Sequence, residues 1–235
     1  MRFKGLFSSV LAAVLLISAI CPFFIFATDS DDTDVDIYRN NENEYMKIAL
    51  TFDDGPHPRY TPQILDILDQ YGIKATFFVV GVNAEYYPDA LEEINLRGHE
   101  IGNHTYTHPH VSVLNAENLT REVERCESVI YGLTDRRTKL FRPPEGMVDA
   151  CVKSALGRLD YKVILWDIDT RDWAHTPPEA IRDNVVKHIT SGDIILMHDY
   201  VSGGSPTPEA LRLFIPELLE MGYKFVVISE LIGLE

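Results

Sequence analysis

From residue 45 onward, short runs rich in apolar and β-branched residues alternate with amphipathic stretches of helical length. About six helical patterns separate seven predicted strands: Met46–Phe52, Ala75–Gly81, Glu100–His104, Lys139–Arg142, Lys162–Asp169, Asp193–His198 and Lys224–Ser229. Such alternation is typical of parallel strands joined by helices. The sequence therefore predicts one α/β domain, and alternation alone permits either a doubly wound sheet or a barrel.

Threonine–proline pairs are predicted to begin helices. Thr61 precedes Pro62, Thr207 precedes Pro208, and Thr176 begins the sequence "TPPE". A threonine hydroxyl accepts a hydrogen bond from a free backbone N–H of the first turn, and proline suits the first helical position. We therefore expect Thr61 and Thr207 to be N-cap residues and Thr176–Glu179 to form a capping box.

Polar side chains stand at the C-terminal end of nearly every predicted strand. They are Asp53, Asp54, His104, Arg142, Asp169, His198 and Asp199. In a parallel α/β barrel these strand ends form one rim, where catalytic groups converge. The pattern favours a barrel with a single site. A glycine-rich phosphate-binding motif does not follow the first strand, which argues against a nucleotide-binding sheet.

His104 and His108 have the spacing of a metal-binding pair. Being four residues apart, they can present both imidazoles on one side of a helical turn or a tight loop. Histidines with this spacing also occur as ordinary surface or capping residues. A metal site needs a third ligand, and Asp54 is a candidate from another strand end.

Five segments occur in a fixed order along the chain: "TFDDGP" (Thr51–Pro56), "HTYTHP" (His104–Pro109), "RPPEG" (Arg142–Gly146), "DTRDW" (Asp169–Trp173) and "LMHD" (Leu196–Asp199). Together they resemble the five motifs of the polysaccharide deacetylases with a NodB-homology domain, carbohydrate esterase family 4. The resemblance covers essentially all of residues 45–235. It implies a single distorted (β/α) barrel of about seven parallel strands.

The resemblance also implies a metal centre. Asp54, His104 and His108 correspond to the family's ligands for one divalent ion. We expect Zn²⁺, and the ligand set also suits Co²⁺, Ni²⁺ or Mn²⁺. Three protein ligands leave positions open, as a hydrolytic site requires.

The remaining motif residues correspond to the family's catalytic groups. By resemblance, Asp53 is the general base and His198 the general acid. Arg142 then holds the base in place, and Asp172 orients the acid.

Substrate contacts are expected from Pro144, Glu145, Trp173 and Leu196. In the family, the residue at the position of Glu145 gives a backbone N–H to the tetrahedral oxyanion, and it is often tyrosine. The backbone N–H is present whether glutamate or tyrosine stands at this position. The extra carboxylate of Glu145 is expected to disfavour sugars that carry a free lactyl carboxylate.

The function that the resemblance implies is hydrolysis of N-acetyl groups from N-acetylglucosamine residues of a polysaccharide. Peptidoglycan is the expected polymer, and chitin-type oligomers come second. An O-acetyl esterase acting on acetylated xylan and a catalytically silent wall-binding module are the alternatives.

The first 44 residues differ from the rest. A basic head with Arg2 and Lys4 precedes an apolar run, so residues 1–27 are predicted to be a secretory signal or an N-terminal membrane anchor. Residues 28–44 carry five Asp and two Glu against one Arg and are predicted to be a disordered linker. The domain is expected to span residues 45–235. We expect export, either to the cell wall or to the outer face of the membrane.

The charge of the chain limits its partners. A formal net charge of −15 argues against binding to nucleic acid, because phosphate contacts dominate such binding. Outside the leader only Cys126 and Cys151 remain, and two thiols are expected rather than one disulfide. We expect a monomer.

Overall fold

Nine strands and eight α-helices follow one another along residues 35–41, 45–157 and 159–234, which the computed structural model describes. The predicted leader, residues 1–27, and the linker residues 28–34 and 42–44 lie outside this part. The strands are β1 Ile37–Tyr38, β2 Lys47–Asp53, β3 Thr76–Val79, β4 Glu100–Asn103, β5 Leu140–Phe141, β6 Lys162–Ile164, β7 Ile168–Asp169, β8 Ile194–His198 and β9 Lys224–Val226. The helices are α1 Tyr60–Tyr71, α2 Gly81–Tyr86, α3 Pro88–Leu96, α4 Ala116–Thr134, α5 Ala150–Leu156, α6 Pro178–His188, α7 Thr207–Glu220 and α8 Ile228–Ile232.

The strands form one sheet in the order β1-β6-β5-β4-β3-β2-β8-β7, and β9 pairs with the first half of β2. Every pairing between these strands is parallel. The predicted strand Lys162–Asp169 is divided in two. Its first half, β6, pairs with β1 and β5, whereas its second half, β7, pairs with β8 at the other end of the sheet. The short passage between them means that the sheet curls, which confirms the predicted distorted barrel.

The domain begins earlier than predicted. Strand β1 lies in the acidic stretch 28–44, and Ile37 is paired with Val163. The Lys162 ammonium donates to the Asp36 carboxylate at 2.7 Å, and Val35 is buried in a core cluster. The prediction of a disordered linker is therefore wrong for residues 35–41. The acidic composition hid a short apolar segment that completes the sheet.

Helix α1 shows how the helices cover the sheet. Its apolar stripe, Ile64, Leu65, Ile67 and Leu68, is fully buried in the largest core cluster. Gly72 ends the helix in the left-handed conformation, at φ +65°, which glycine adopts without a steric cost. Burial on this face fixes the helix and, with it, the loop that joins β2 to α1.

Within the described ranges, the structure contains no helix long and apolar enough to cross a membrane. Cys126 and Cys151 are both free thiols, as expected.

Candidate active site

The strand ends meet at a cavity of about 430 Å³. Its walls are formed by Asp53, Asp54, His104, His108, Glu145, Trp166, Asp169, Trp173, Leu196 and His198. The predicted rim therefore exists, and it brings most of the predicted site residues into one cavity.

The adjacent residues Asp53 and Asp54 have different backbone conformations. Asp53 is the last residue of β2, and Asp54 has φ +73°, in the left-handed region that aspartate tolerates better than most residues. Because neighbours within a regular strand point to opposite faces, leaving the strand at Asp54 allows both carboxylates to face the cavity. Gly55 follows because a Cβ there would lie 2.0 Å from the Asp199 carboxylate.

Asp54, His104 and His108 form a cluster that could hold a metal ion. The Asp54 Oδ1 atom lies 3.2 Å from Nε2 of His108 and 3.4 Å from Nε2 of His104. One potential ligand atom from each residue lies within 4.8 Å of the other two. The Nδ1–H of His104 donates to the Arg142 carbonyl at 2.6 Å, which leaves the Nε2 lone pair for the cluster.

The chemistry of these atoms fits a cation. Within the described part of the chain, Asp54 Oδ1 is buried and has no hydrogen-bond partner. A buried carboxylate oxygen without a donor is costly unless a positive charge faces it. One carboxylate and two imidazoles are the donor set of many divalent metal sites.

The charges of the cluster are strongly coupled. Burial raises the pKa of Asp54, but the nearby imidazoles of His104, His198 and His108 outweigh it and lower the value to about 2. Burial lowers the pKa of His104, and the charges of Asp53 and Asp54 more than reverse this. Burial and the neighbouring His104 lower the pKa of His108. Asp54 is thus ionised at any physiological pH.

The loop that carries His108 is fastened to helix α4. The Glu122 carboxylate accepts from the backbone N–H groups of Tyr106 and Thr107, at 3.1 and 2.7 Å, and from the Thr107 hydroxyl at 3.0 Å. Thr105 and His108 both have positive φ, 69° and 53°, so the loop is tightly curved. Glu122 was not among the predicted site residues, because its spacing from the histidine motif carries no recognisable signal.

Asp53 and Arg142 form a buried ion pair. Nη1 of Arg142 donates to Asp53 Oδ1 and to the Thr51 hydroxyl, both at 2.8 Å. Its Nε and Nη2 donate to the carbonyls of Ile164 and Leu165, at 3.1 Å each. Burial lowers the pKa of Arg142, and Asp53 opposes this; a guanidinium stays charged in either case. The Arg142 guanidinium, which is itself held by the two carbonyls, thus fixes the position of Asp53.

His198 and Asp172 form a second buried pair. The Asp172 carboxylate accepts from the ring Nδ1–H of His198 at 2.8 Å and from the His198 backbone N–H at 2.7 Å. Burial lowers the pKa of His198, but this hydrogen bond and the charge of Asp172 raise it to about 9. The imidazole is therefore held protonated, with its Nε2–H left to act on other groups.

Two threonines predicted to be N-caps instead donate to buried carboxylates. The Thr207 hydroxyl donates to Asp172 at 2.6 Å, and the Thr61 hydroxyl donates to Asp199 at 2.5 Å. Helix α1 begins at Tyr60 and α7 at Thr207, so neither threonine is the residue before its helix. The N-cap prediction was wrong because the residues before the two helices are Arg59 and Pro206. The capping box is also wrong, since the residue before α6 is Pro177 and not Thr176.

The predicted substrate contacts differ in exposure. Glu145 and Leu196 line the cavity, and Trp173 does so with 51% of its surface exposed. Glu145 has φ +60° and pairs with Nδ1 of His110 at 2.8 Å. Pro144 is buried and lies outside the lining, so the prediction of a direct contact by its side chain is not supported.

Trp166 was not among the predicted site residues, yet it lines the cavity and lies over the Arg142 guanidinium at 5.6 Å. It occupies the break between β6 and β7, in a segment that was predicted to be one continuous strand. Gly146, at φ +66°, is required opposite it, because a Cβ there would lie 2.5 Å from the indole.

Asp54, His104 and His108, which could hold a metal ion, lie beside Asp53 and His198 on the rim of a parallel barrel. This arrangement is typical of metal-dependent hydrolases. A sequence profile of the polysaccharide deacetylase family matches residues 40–164. The chain belongs to the polysaccharide deacetylase family, and the resemblance seen in the motifs is confirmed.

Individual relatives support this family assignment. A peptidoglycan-N-acetylglucosamine deacetylase of Bacillus cereus is 41% identical over 192 residues, 81% of this chain and 90% of the relative. A crystal structure of a peptidoglycan N-acetylglucosamine deacetylase superposes with a TM-score of 0.80 at 33% identity, over 83% of this chain and 92% of the other. A family 4 acetyl xylan esterase from Clostridium thermocellum, in complex with a cobalt ion, gives 0.74 at 33% identity, over 80% of this chain and 91% of the other.

Proposed function

We propose that the protein hydrolyses N-acetyl groups of N-acetylglucosamine residues in cell-wall peptidoglycan and releases acetate. The observation that carries this proposal is the Asp54–His104–His108 cluster in one cavity with Asp53 and His198. The printed activities of the Bacillus cereus relative and of the deacetylase structure support the choice of substrate.

Asp54, His104 and His108 would hold one divalent metal ion, which we propose to be Zn²⁺; Co²⁺, Ni²⁺ and Mn²⁺ are compatible. When bound, such an ion polarises the acetamide carbonyl and lowers the pKa of water. The buried, unpartnered Asp54 Oδ1 and the tautomer of His104 support this assignment.

Asp53 would take the proton from the attacking water. The Asp53 side chain lines the cavity, and its Oδ1 atom accepts a hydrogen bond from Arg142 at 2.8 Å. A base that is fixed in this way does not need to reorient as the water attacks, and a positioned base contributes about 10²–10⁴ in rate.

His198 would protonate the departing amine nitrogen. An amide C–N bond breaks only when the nitrogen leaves as a neutral amine, so a proton donor is needed. The pKa of His198, raised to about 9 by its bond to Asp172, keeps the ring protonated at neutral pH. Asp172 contacts the backbone and the ring of His198 together, which orients the imidazole.

Glu145 would set the preference between sugars. Its backbone N–H is proposed to stabilise the tetrahedral oxyanion. Its carboxylate lies in the cavity wall, where it would repel the lactyl carboxylate of a muramic acid residue. We therefore propose N-acetylglucosamine as the preferred sugar.

The proposed substrate places the protein outside the cell. Residues 1–27 would direct export, as a signal or as an anchor at the outer face of the membrane. Residues 35–234 would then act at the wall.

The proposal is tested by incubating zinc-loaded protein with peptidoglycan, chitooligomers and acetylated xylan. Acetate is quantified, and the glycans are analysed by mass spectrometry. We expect loss of acetyl groups from N-acetylglucosamine in peptidoglycan, abolished by a chelator and restored by Zn²⁺. Acetate from xylan alone would show an O-acetyl esterase, and acetate from none of the three would overturn the enzyme assignment.

A further inference from the structure

The two histidines of the proposed metal cluster are held in different ways. His104 directly follows β4, only 2% of its side chain is exposed, and its ring donates to the Arg142 carbonyl at 2.6 Å. His108 lies four residues further on, and 36% of its side chain is exposed. We refer to residues 104–110, which follow β4, as the histidine loop. The position of His108 therefore depends on what holds this loop.

Helix α4 supplies the acceptor for two N–H groups in the middle of the histidine loop. One oxygen of Glu122, Oε2, accepts from the backbone N–H groups of Tyr106 and Thr107 at 3.1 and 2.7 Å, and from the Thr107 hydroxyl at 3.0 Å. Hydrogen bonds to a charged acceptor are about twice as strong as those between neutral groups. Glu122 thus fixes the two residues that directly precede His108.

Helix α2 supplies donors for the carbonyl groups of the same loop. The backbone N–H of Gly81 donates to the Thr105 carbonyl at 3.0 Å, and that of Val82 donates to the Tyr106 carbonyl at 2.9 Å. A Cβ at Gly81 would lie 2.7 Å from the Tyr106 ring, so the loop packs directly against the start of α2. The His108 N–H donates to the Thr105 hydroxyl at 3.1 Å, which closes the turn.

The Tyr106 side chain joins the histidine loop to both helices. Its hydroxyl donates to Glu85 of α2 at 2.6 Å and accepts from Nη2 of Arg125 of α4 at 2.7 Å. The Arg125 guanidinium also lies over the Tyr106 ring, 3.5 Å from its centre. The loop is therefore held from two sides by helices that contribute none of the three cluster residues.

We propose that Glu122 is a positioning residue of the metal centre, which sets the metal affinity by holding His108 in place for coordination. The inference rests on the proposed metal-binding role of Asp54, His104 and His108 and deepens it. Because His104 is held by its own strand and by the Arg142 carbonyl, the effect of Glu122 passes through His108. Groups that orient metal ligands are worth about 10–100-fold in metal affinity.

The test is calorimetric titration of metal-depleted protein with Zn²⁺. Glu122→Ala removes the acceptor, and we expect the zinc affinity to fall about 10–100-fold. Glu122→Gln keeps an oxygen acceptor in the same place and should recover most of the affinity. Equal zinc affinities of the wild type and Glu122→Ala would overturn the inference. A Glu122→Gln protein as weak as Glu122→Ala would show an effect of charge, and would overturn positioning by hydrogen bonds.

Glu124→Ala is the matched control. Glu124 lies two residues further along α4 and is exposed to solvent. Its removal takes the same charge from the same helix but leaves the histidine loop untouched, so the zinc affinity should stay that of the wild type. If Glu124→Ala weakens zinc binding as much as Glu122→Ala does, the specific role of Glu122 is overturned.

A double-mutant cycle with His108→Ala separates positioning from a general loss of structure. If Glu122 acts through His108, Glu122→Ala should lower the zinc affinity no further in a protein that already lacks this imidazole. An equal fall in both backgrounds would overturn the assignment.

Failure of the metal centre would be seen separately from failure of this inference. If the wild-type protein itself binds no Zn²⁺, the metal centre is overturned and the role of Glu122 with it. If the wild type binds Zn²⁺ and Glu122→Ala binds it equally well, only the role of Glu122 is lost. Because zinc binding is measured without substrate, neither outcome depends on which polysaccharide is hydrolysed.

Discussion

Asp53 and His198 are directly paired residues of the neighbouring parallel strands β2 and β8. The backbone N–H of Asp199 donates to the Asp53 carbonyl at 3.2 Å, next to this pair. Paired residues of a parallel ladder point to the same face, and neighbouring strands lie about 4.8 Å apart. The sheet itself therefore sets the separation of the proposed base and the proposed acid. Each is then fixed by its own buried partner, Arg142 or Asp172.

Arg142→Lys should destabilise the protein. A lysine cannot reproduce the donors to Asp53, Ile164 and Leu165, and it leaves buried acceptors without partners. A buried acceptor left without a donor costs about 1–3 kcal/mol, so we expect the free energy of unfolding to fall by about 3 kcal/mol. Urea denaturation measures it. Arg121→Lys on the surface of α4 is the control. Equal stabilities of the two variants would contradict a stabilising role for the hydrogen bonds of the buried Arg142 guanidinium.

Asp172→Asn should change the pH dependence of turnover. The pKa of His198 is raised to about 9 by Asp172, so a required protonated His198 makes activity fall as the pH rises through about 9. Without the carboxylate charge the pKa falls, and the alkaline limb should move to lower pH by about one unit or more. Initial rates across a pH series measure the shift. Asp183→Asn on α6 should leave the limb in place, and an unmoved limb in Asp172→Asn would refute the role of Asp172.

Thr207→Val should impair turnover more than binding. The substitution removes one of the donors to Asp172 but keeps the branched shape, and a lost hydrogen bond to a charged group costs about 1.5–3 kcal/mol. We expect kcat to fall about tenfold with little change in KM, since one factor of ten corresponds to about 1.4 kcal/mol. Thr207→Ser retains a hydroxyl and should recover most of the rate. If serine and valine behave alike, the hydrogen bond has no part in positioning Asp172.

Glu145→Gln should relax the discrimination against anionic sugars. Removing the charge should raise the rate on glycans with free lactyl carboxylates, relative to N-acetylglucosamine oligomers, by about two- to fivefold, because an exposed charge pair is worth about 0.2–1 kcal/mol. The ratio of the two rates is measured at low salt. Glu117→Gln, an exposed change on α4, should leave the ratio as it is, and an unchanged ratio in Glu145→Gln would exclude electrostatic selection by this residue.

The sequence predicted the barrel because the alternation of strands and helices and the polar strand ends depend on local patterns. The boundary at residue 45 was wrong because β1 consists of only two residues, Ile37 and Tyr38, within an acidic stretch. Its strand character comes from pairing with β6, a long-range contact that composition does not reveal.

Those residues of the site that belong to sequence motifs could be predicted. Asp54, His104 and His108 do converge, whereas Glu122, Trp166 and the roles of Thr61 and Thr207 were missed. A threonine before proline has the local chemistry of an N-cap, and only the fold shows that its hydroxyl donates to a buried carboxylate. The contacts that support the site join residues far apart in the sequence, so the spacing of residues along the chain does not reveal them.

The adjacent pair Asp53 and Asp54 provides the most direct test of the division between metal binding and proton transfer. Metal-depleted wild-type, Asp53→Asn and Asp54→Asn proteins are titrated with Zn²⁺ by calorimetry, and acetate release is measured on the same samples. We expect Asp54→Asn to lose about 100-fold or more in zinc affinity, since groups that merely orient metal ligands are already worth about 10–100-fold. Asp53→Asn should bind Zn²⁺ almost as the wild type does and lose about 10²–10⁴ in turnover. Loss of zinc binding in Asp53→Asn, or its retention in Asp54→Asn, would contradict the assignment of the two carboxylates.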